Sequence, residues 1–289
     1  MYPFVTMKTF VIEFLIVISI LLTCFLSESY AADKKIFRTS DRKTISFGQM
    51  IADIKKTNLI LIGELHDNES HHLFQLDVIK ALRASKVPIA VGFEMFTAES
   101  QKDLDRWVAG IFPLHDFIRF YYENWNFPWP FYEDILLYVR DNKIPAVGLN
   151  VPVEIAAKVA NSGFSSLTRK ERERLPREVT CAVDEQYMKF IRRAYAIHGH
   201  IGKQFVHFCE AQLLWDQAMA RNLLEFLKKN PDRTVIVLTG TGHAWKRGIP
   251  EQIRNLSQKA RFKVILPEIS DHTEPKNIST DDADYIFLR

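Results

Sequence analysis

Cysteine is scarce in this chain, three in 289 residues, so covalent cross-linking can contribute one bridge at most. Charge of one sign is lacking too. The 38 Lys and Arg against 35 Asp and Glu leave a formal +3, a surplus that points to no polyanionic partner and excludes a nucleic-acid-binding profile. There is no internal repeat, no low-complexity tract, and no flexible stretch in the middle that reads as a linker between independent domains. What is present is a globular composition, 47% hydrophobic and 25% charged, in a chain long enough for one sizeable core.

The first thirty residues differ in kind. Phe10 to Leu26 is almost wholly apolar, broken by Glu13, Ser19, Thr23 and Cys24, with Lys8 before it. Ser29 and Ala31 then supply the small residues that a signal peptidase reads for a cut after Ala31. Residues 1–31 are therefore expected to be a signal peptide and residues 32–289 the folded protein, which places it outside the cytoplasm, in the periplasm or at the envelope. A retained anchor is the alternative, although the run is short for a span and Glu13 within it is costly. Lipidation at Cys24 is a third route, with Thr23 a poor residue before the modified Cys. After the Ala31 cut only Cys181 and Cys209 remain, and in an oxidising compartment they could pair.

Along the folded part, short apolar runs alternate with helix-like periodicity, the pattern of β-α units around a mostly parallel central sheet flanked by helices, an α/β fold. The strands are expected at Asn58 to Gly63, Ile89 to Phe93, Ala146 to Leu149, Thr234 to Leu238 and Phe262 to Leu266, with Tyr285 to Leu288 as a closing edge. Leu73, Leu76, Ile79 and Leu82 mark one face of a helix between Ser70 and Ser85. Two intervals are too long for single crossovers. Insertions at about 97–142 and 152–230, the second holding an amphipathic helix from about Gln204 to Lys228, are expected to form a helical cap.

Open parallel sheets bind ligands beyond the carboxyl ends of their strands. Polar residues gather at those ends here: Glu64 and His66 after the first strand, Glu94 at the second, Asn150 at the third and His243 after the fourth. Two imidazoles and two carboxylates from distant segments are group types that serve acid–base catalysis or hold a divalent metal such as zinc. Any of these residues singly is as well explained by a helix N-terminal carboxylate or a hydrogen-bonded loop histidine. Their joint placement at one end of adjacent strands is not. Gln212 and Asp216, four apart on the long helix, share a face and could look into the same cleft, or could form a solvated face.

Between Phe112 and Tyr138 aromatic residues crowd together, among them Tyr121, Tyr122, Trp125, Phe127 and Tyr132. They could wall a flat cofactor, or simply fasten the inserted helices to the sheet. Tyr195, His198 and His200 lie close together in sequence and carry donor types known for haem iron. His71, His72, His115 and His272 receive no functional assignment.

The segments Leu61–His66, Gly92–Phe96, Ala211–Asp216 with Met219 and Ala220, and Gly240–Ala244 together resemble the ChaN family of haem-binding, iron-regulated lipoproteins, over roughly Ile45 to Leu266. That family is similar in turn to the Tiki metalloproteases and the erythromycin esterases. The resemblance implies a haem-binding protein of haem or iron acquisition, a Tyr as iron ligand, a homodimer with stacked cofactors, and an envelope receptor as partner. Tyr195, His198, His200, Tyr122 and Tyr132 are the candidate haem contacts, and no motif singles one out. The wider resemblance implies catalytic or metal positions at His66, Glu94 and His243, with Glu64 matching the esterase-type Gly-Glu-x-His. A metal-assisted esterase or protease is thus the alternative expectation.

Overall fold

The structure, a computed structural model, describes residues 34–194 and 202–289. Eight strands form one sheet in the order β2-β1-β8-β7-β3-β6-β4-β5. Its centre is parallel: β3 (Leu59–Glu64) runs between β6 (Thr234–Gly240) and β7 (Phe262–Pro267), and β6 pairs on its other side with β4 (Ile89–Thr97), which pairs with β5 (Ala146–Asn150). These strands read as continuous apolar runs because helices cover both faces. Every residue of β3 and β6 is buried.

The Tyr285–Leu288 segment forms a strand, β8 (Tyr285–Phe287), but it is not the edge. It lies parallel to β7 and antiparallel to β1 (Lys35–Arg38), which pairs with β2 (Lys43–Ser46). That hairpin escapes a reading by apolar runs because its two strands are four residues each and at least half polar.

Strand alternation divides the core into two layers. Ile60, Ile62, Val91, Phe93, Ile236 and Leu238 face one way, where they meet the helix Glu69–Ala84 and the aromatic residues of the first insertion, Trp107, Phe117, Tyr121 and Tyr132 among them. Leu59, Leu61, Val147, Val235 and Val237 face the other way, against Tyr187, Phe190, Leu213, Met219 and Leu223 of the second insertion. The long helix there spans Lys203–Lys229. The aromatic run is thus mostly core: Trp107 stacks on Phe117 with ring centroids 3.7 Å apart. Cys181 and Cys209 are both buried free thiols, so the bridge considered from sequence is not formed. Among the described residues no helix is long and apolar enough to cross a membrane.

Candidate functional site

The carboxyl ends of β3, β4, β5 and β6 open into a cleft of about 970 Å³, at the upper end of the range usual for small-molecule sites, roughly 300–1,000 Å³. Glu64, His66, Glu94, Asn150, Gln212 and His243 all line it. Both insertions contribute walls, Trp125 and Phe127 from the first and Val153 and Trp215 from the second.

Glu64, the last residue of β3, is buried and fully engaged. Its Oε1 accepts from His66 Nδ1 at 2.8 Å and from the Tyr132 hydroxyl at 2.5 Å, while its Oε2 accepts from Gln75 Nε2 at 2.7 Å. Burial alone would raise its pKa, but the His66 hydrogen bond and the nearby His72 hold it well below the usual carboxylate range. Glu64 is therefore a fixed anion behind His66. The His66 ring, a quarter exposed, packs edge-on against Trp125 at 5.0 Å and beside Phe127 at 4.9 Å. Burial works to lower its pKa, and the hydrogen bond it donates to Glu64, with the charges of Glu94 and Glu64, raises it on balance. Because Nδ1 is committed to Glu64, Nε2 is the nitrogen left for a ligand.

Glu94 lies where the pairing of β4 with β5 slips between Phe93 and Thr97, an irregularity of the kind that re-aims a side chain. Its Oε2 accepts from Thr239 Oγ1 at 2.5 Å and from the Gly240 amide at 2.7 Å. Gly240 lies close against the ring: a Cβ there would stand 3.1 Å from both Cε1 and Nε2 of His66, so the ring would have to give by a few tenths of an ångström.

His243 is anchored from the opposite face. Its Nδ1 pairs with Asp216 Oδ1 at 2.7 Å, and Asp216 Oδ2 accepts from the Tyr187 hydroxyl at 2.6 Å. Burial opposes protonation of His243, yet Glu94 and Asp216 outweigh it and hold the pKa up at about 9. Burial also raises Asp216 above its ordinary value, with His243 and Tyr187 acting against that rise. The cleft thus contains two imidazole–carboxylate pairs on either side of a third carboxylate, with His243 Nε2 3.7 Å from Glu94 Oε1.

The structure brings together the four strand-end residues and the three flanking candidates. Asp216 proves to orient His243, Gln212 is buried in the cleft wall, and Asn150 donates to the Glu94 carbonyl at 2.9 Å. Tyr132 is the correction among the haem candidates: fully buried and donating to Glu64, its phenol has no open side for an iron. Tyr122 is 49% exposed but stands away from the cleft lining, its hydroxyl accepting from the Trp129 amide. Tyr195, His198 and His200, like Cys24 and the 1–31 segment, lie outside the described residues. Among the described residues no group of three or more His, Cys, Asp or Glu is placed to hold a metal ion.

Gln75 and Tyr187 went unnoticed in the sequence, although Gln75 left a trace. It sits on the buried face of its helix beside Leu76 and Ile79, where a polar residue needs a reason. His272, also unassigned, lines the cleft and bonds the Ala194 carbonyl. His71, buried, accepts from the Leu65 amide, and burial lowers its pKa to about 4.

The site is a strand-end cleft on an α/β sheet, the place where such folds take small molecules. The chain belongs to the family described as haem-binding uptake, Tiki superfamily, ChaN, whose model matches residues 50–253. Its fold is similar to a ChaN of Campylobacter jejuni, described as showing cofacial heme binding, at 22% identity, TM-score 0.70, covering 88% of this chain and 96% of that one. Weaker likenesses reach the erythromycin esterase EreC and the type III effector HopBA1, each 13% identical with a TM-score of 0.49; they cover 80% and 83% of this chain, and 76% and 90% of those chains. Comparison with curated proteins gives no match.

Proposed function

We propose that this chain is an exported haem-binding protein that serves haem or iron acquisition at the cell envelope. The family match over residues 50–253, which contains all four strand-end segments, carries this reading. The shared fold with the Campylobacter ChaN supports it. Export rests on the apolar N-terminal segment, with Cys24 as the alternative point of attachment. A homodimer and an envelope receptor are the partners this reading calls for.

Haem is a flat apolar ring with an iron and two carboxylates. The aromatic walls of the cleft suit the ring, and His66 Nε2 suits an iron. The carboxylates do not fit, because acidic groups line the cleft and Arg174 is held by Glu99 and Glu154. Tyr122 and the Tyr195 segment are the remaining candidate contacts.

Titration of the purified protein with hemin is expected to give a shifted Soret band that saturates at defined stoichiometry. Absorbance rising linearly without saturation would reject the reading. Tyr195→Phe and Tyr122→Phe, measured separately, then locate the ligand by the change in that band.

A second reading, hydrolysis of an ester or peptide, is favoured by one observation: both imidazoles are oriented through Nδ1 by buried carboxylates and turn Nε2 towards one cleft. His66 would serve as general base towards water, with Glu64 fixing its tautomer. Hydrolysis of activated esters by the wild type that survives His66→Ala unchanged would refute it.

A further inference from the structure

The formal +3 of the whole chain hides a separation of charge between the two ends of the sheet. β3, β4, β5, β6 and β7 run parallel, so all of them begin at the end opposite the cleft, which forms the base of the molecule. Each is entered from a helix that ends there, and each connection is basic. Lys55 and Lys56 precede β3, Arg83 and Lys86 precede β4, and Lys143 precedes β5. Lys228 and Lys229 precede β6, and Lys259 and Arg261 precede β7. All of these side chains are exposed.

Acids do not balance them. Of those in the same connections, Asp53 is held by Arg38 at 3.2 Å and Asp141 by Arg140 at 2.7 Å, which leaves Asp232. Lys229 pairs with Glu225 at 2.9 Å and Lys143 donates to the Ala109 carbonyl at 3.1 Å. A cation in the last turn of a helix complements the helix dipole, which accounts for Arg83, Lys228 and Lys229. It does not account for Lys56, Lys86, Lys259 and Arg261, which lie beyond the helix ends. Lys86 and Lys143 moreover hold φ at 58° and 54°, the left-handed conformation for which Gly is the low-cost residue.

The cleft end carries the opposite sign, with Asp67, Glu99, Glu123 and Glu154 exposed on its lining. Adjacent strands stand about 4.8 Å apart, so the parallel strands set the basic side chains along a row roughly 20 Å wide. Most of them are Lys, a mobile point charge that suits a field of anions better than the fixed fork by which Arg grips one carboxylate or phosphate. A broad row of lysines is the chemistry that meets the charged headgroups of a bilayer.

We infer that the base of the sheet docks on an anionic lipid surface, with the cleft turned away from it. The same surface repels the acidic cleft end, so one orientation is selected. The inference rests on the proposed export with a cut after Ala31, because β1 starts beside the end of β8, at the cleft end, where a lipid on Cys24 would tether the opposite side.

The test is sedimentation of the processed chain, purified from its host, with vesicles of phosphatidylcholine alone or with about 30% phosphatidylglycerol added. Binding is expected to be at least about tenfold stronger on the anionic vesicles and to be lost at about 1 M salt. Lys56→Glu, Lys86→Glu and Lys259→Glu, combined at exposed positions, are expected to abolish that preference. Lys102→Glu, Lys189→Glu and Lys203→Glu change the net charge equally at exposed positions away from the base, and are expected to leave most of it. Equal binding to both kinds of vesicle, or equal loss in the two triple variants, would overturn the assignment. So would salt-sensitive self-association in place of vesicle binding, which would make a second copy of the chain the partner. Mass spectrometry of the same sample reads the cut after Ala31 separately.

Discussion

At the scale of single residues, Tyr132 and His243 carry the most exposed consequences. Tyr132 donates a short hydrogen bond to an ionised, buried Glu64, and bonds to charged groups contribute about 1.5–3 kcal/mol. Tyr132→Phe is expected to lower stability by about that amount in urea denaturation. Tyr132 and His66 share Glu64 Oε1, so losing the Tyr132 donor leaves more negative charge facing the imidazole, and the His66 pKa read by NMR is expected to be higher in the variant than in the wild type; a lower or unchanged value would reject this account.

The pH profile follows from two other histidines. His243 has its pKa raised from 6.5 to about 9, so its contribution is full below 6.5 and is lost as pH rises through 9. Its magnitude is on the order of 3 kcal/mol. His71 has its pKa lowered from 6.5 to about 4, so its contribution is present above 6.5 and is lost as pH falls towards 4. Glu64, held below its ordinary 4.5, adds a further loss under acid. Thermal melts across pH 4 to 10 should therefore peak near pH 6.5. Asp216→Asn, which removes one of the two carboxylates holding up the His243 pKa, is expected to flatten the alkaline limb; an unchanged limb would reject this account.

At the scale of elements, the strand ends are held close enough that backbone size matters. Gly240→Ala places a methyl 3.1 Å from His66 Nε2, and overpacking of this kind costs about 1–3 kcal/mol. The expected result is a lower melting temperature together with a changed His66 titration, because the ring is the neighbour that has to give. The central strands were legible from the sequence because burial on both faces demands apolar residues at successive positions, as in Leu59 to Ile62 and Val235 to Leu238. The β1–β2 hairpin was not, since Lys35, Lys43 and Thr44 face solvent and leave too few apolar positions for a period to show. The site was legible in the same partial way. Glu64, His66, Glu94 and His243 announce themselves at strand ends, whereas Tyr132 and Tyr187 reach theirs from the two insertions, by tertiary packing that no spacing encodes.

At the scale of the whole molecule, the proposed export makes the mature N-terminus the point to measure. Mass spectrometry of the protein from its native host is expected to show a chain starting at Ala32. A diacylglycerol-modified Cys24 at the N-terminus would place it on the membrane instead.

The two-layered core has a further consequence for how the cleft is governed. Tyr132, which backs Glu64 and through it His66, is seated among the aromatic residues of one face, and Tyr187, which backs Asp216 and through it His243, belongs to the other. Each imidazole is positioned from its own half of the interior, while in the cleft the charge of Glu94 acts on both. Loosening the Trp107–Phe117 stack by Phe117→Leu should therefore shift His66 more than His243. Two rings that meet in one cleft can then be adjusted unequally, by changes far from either.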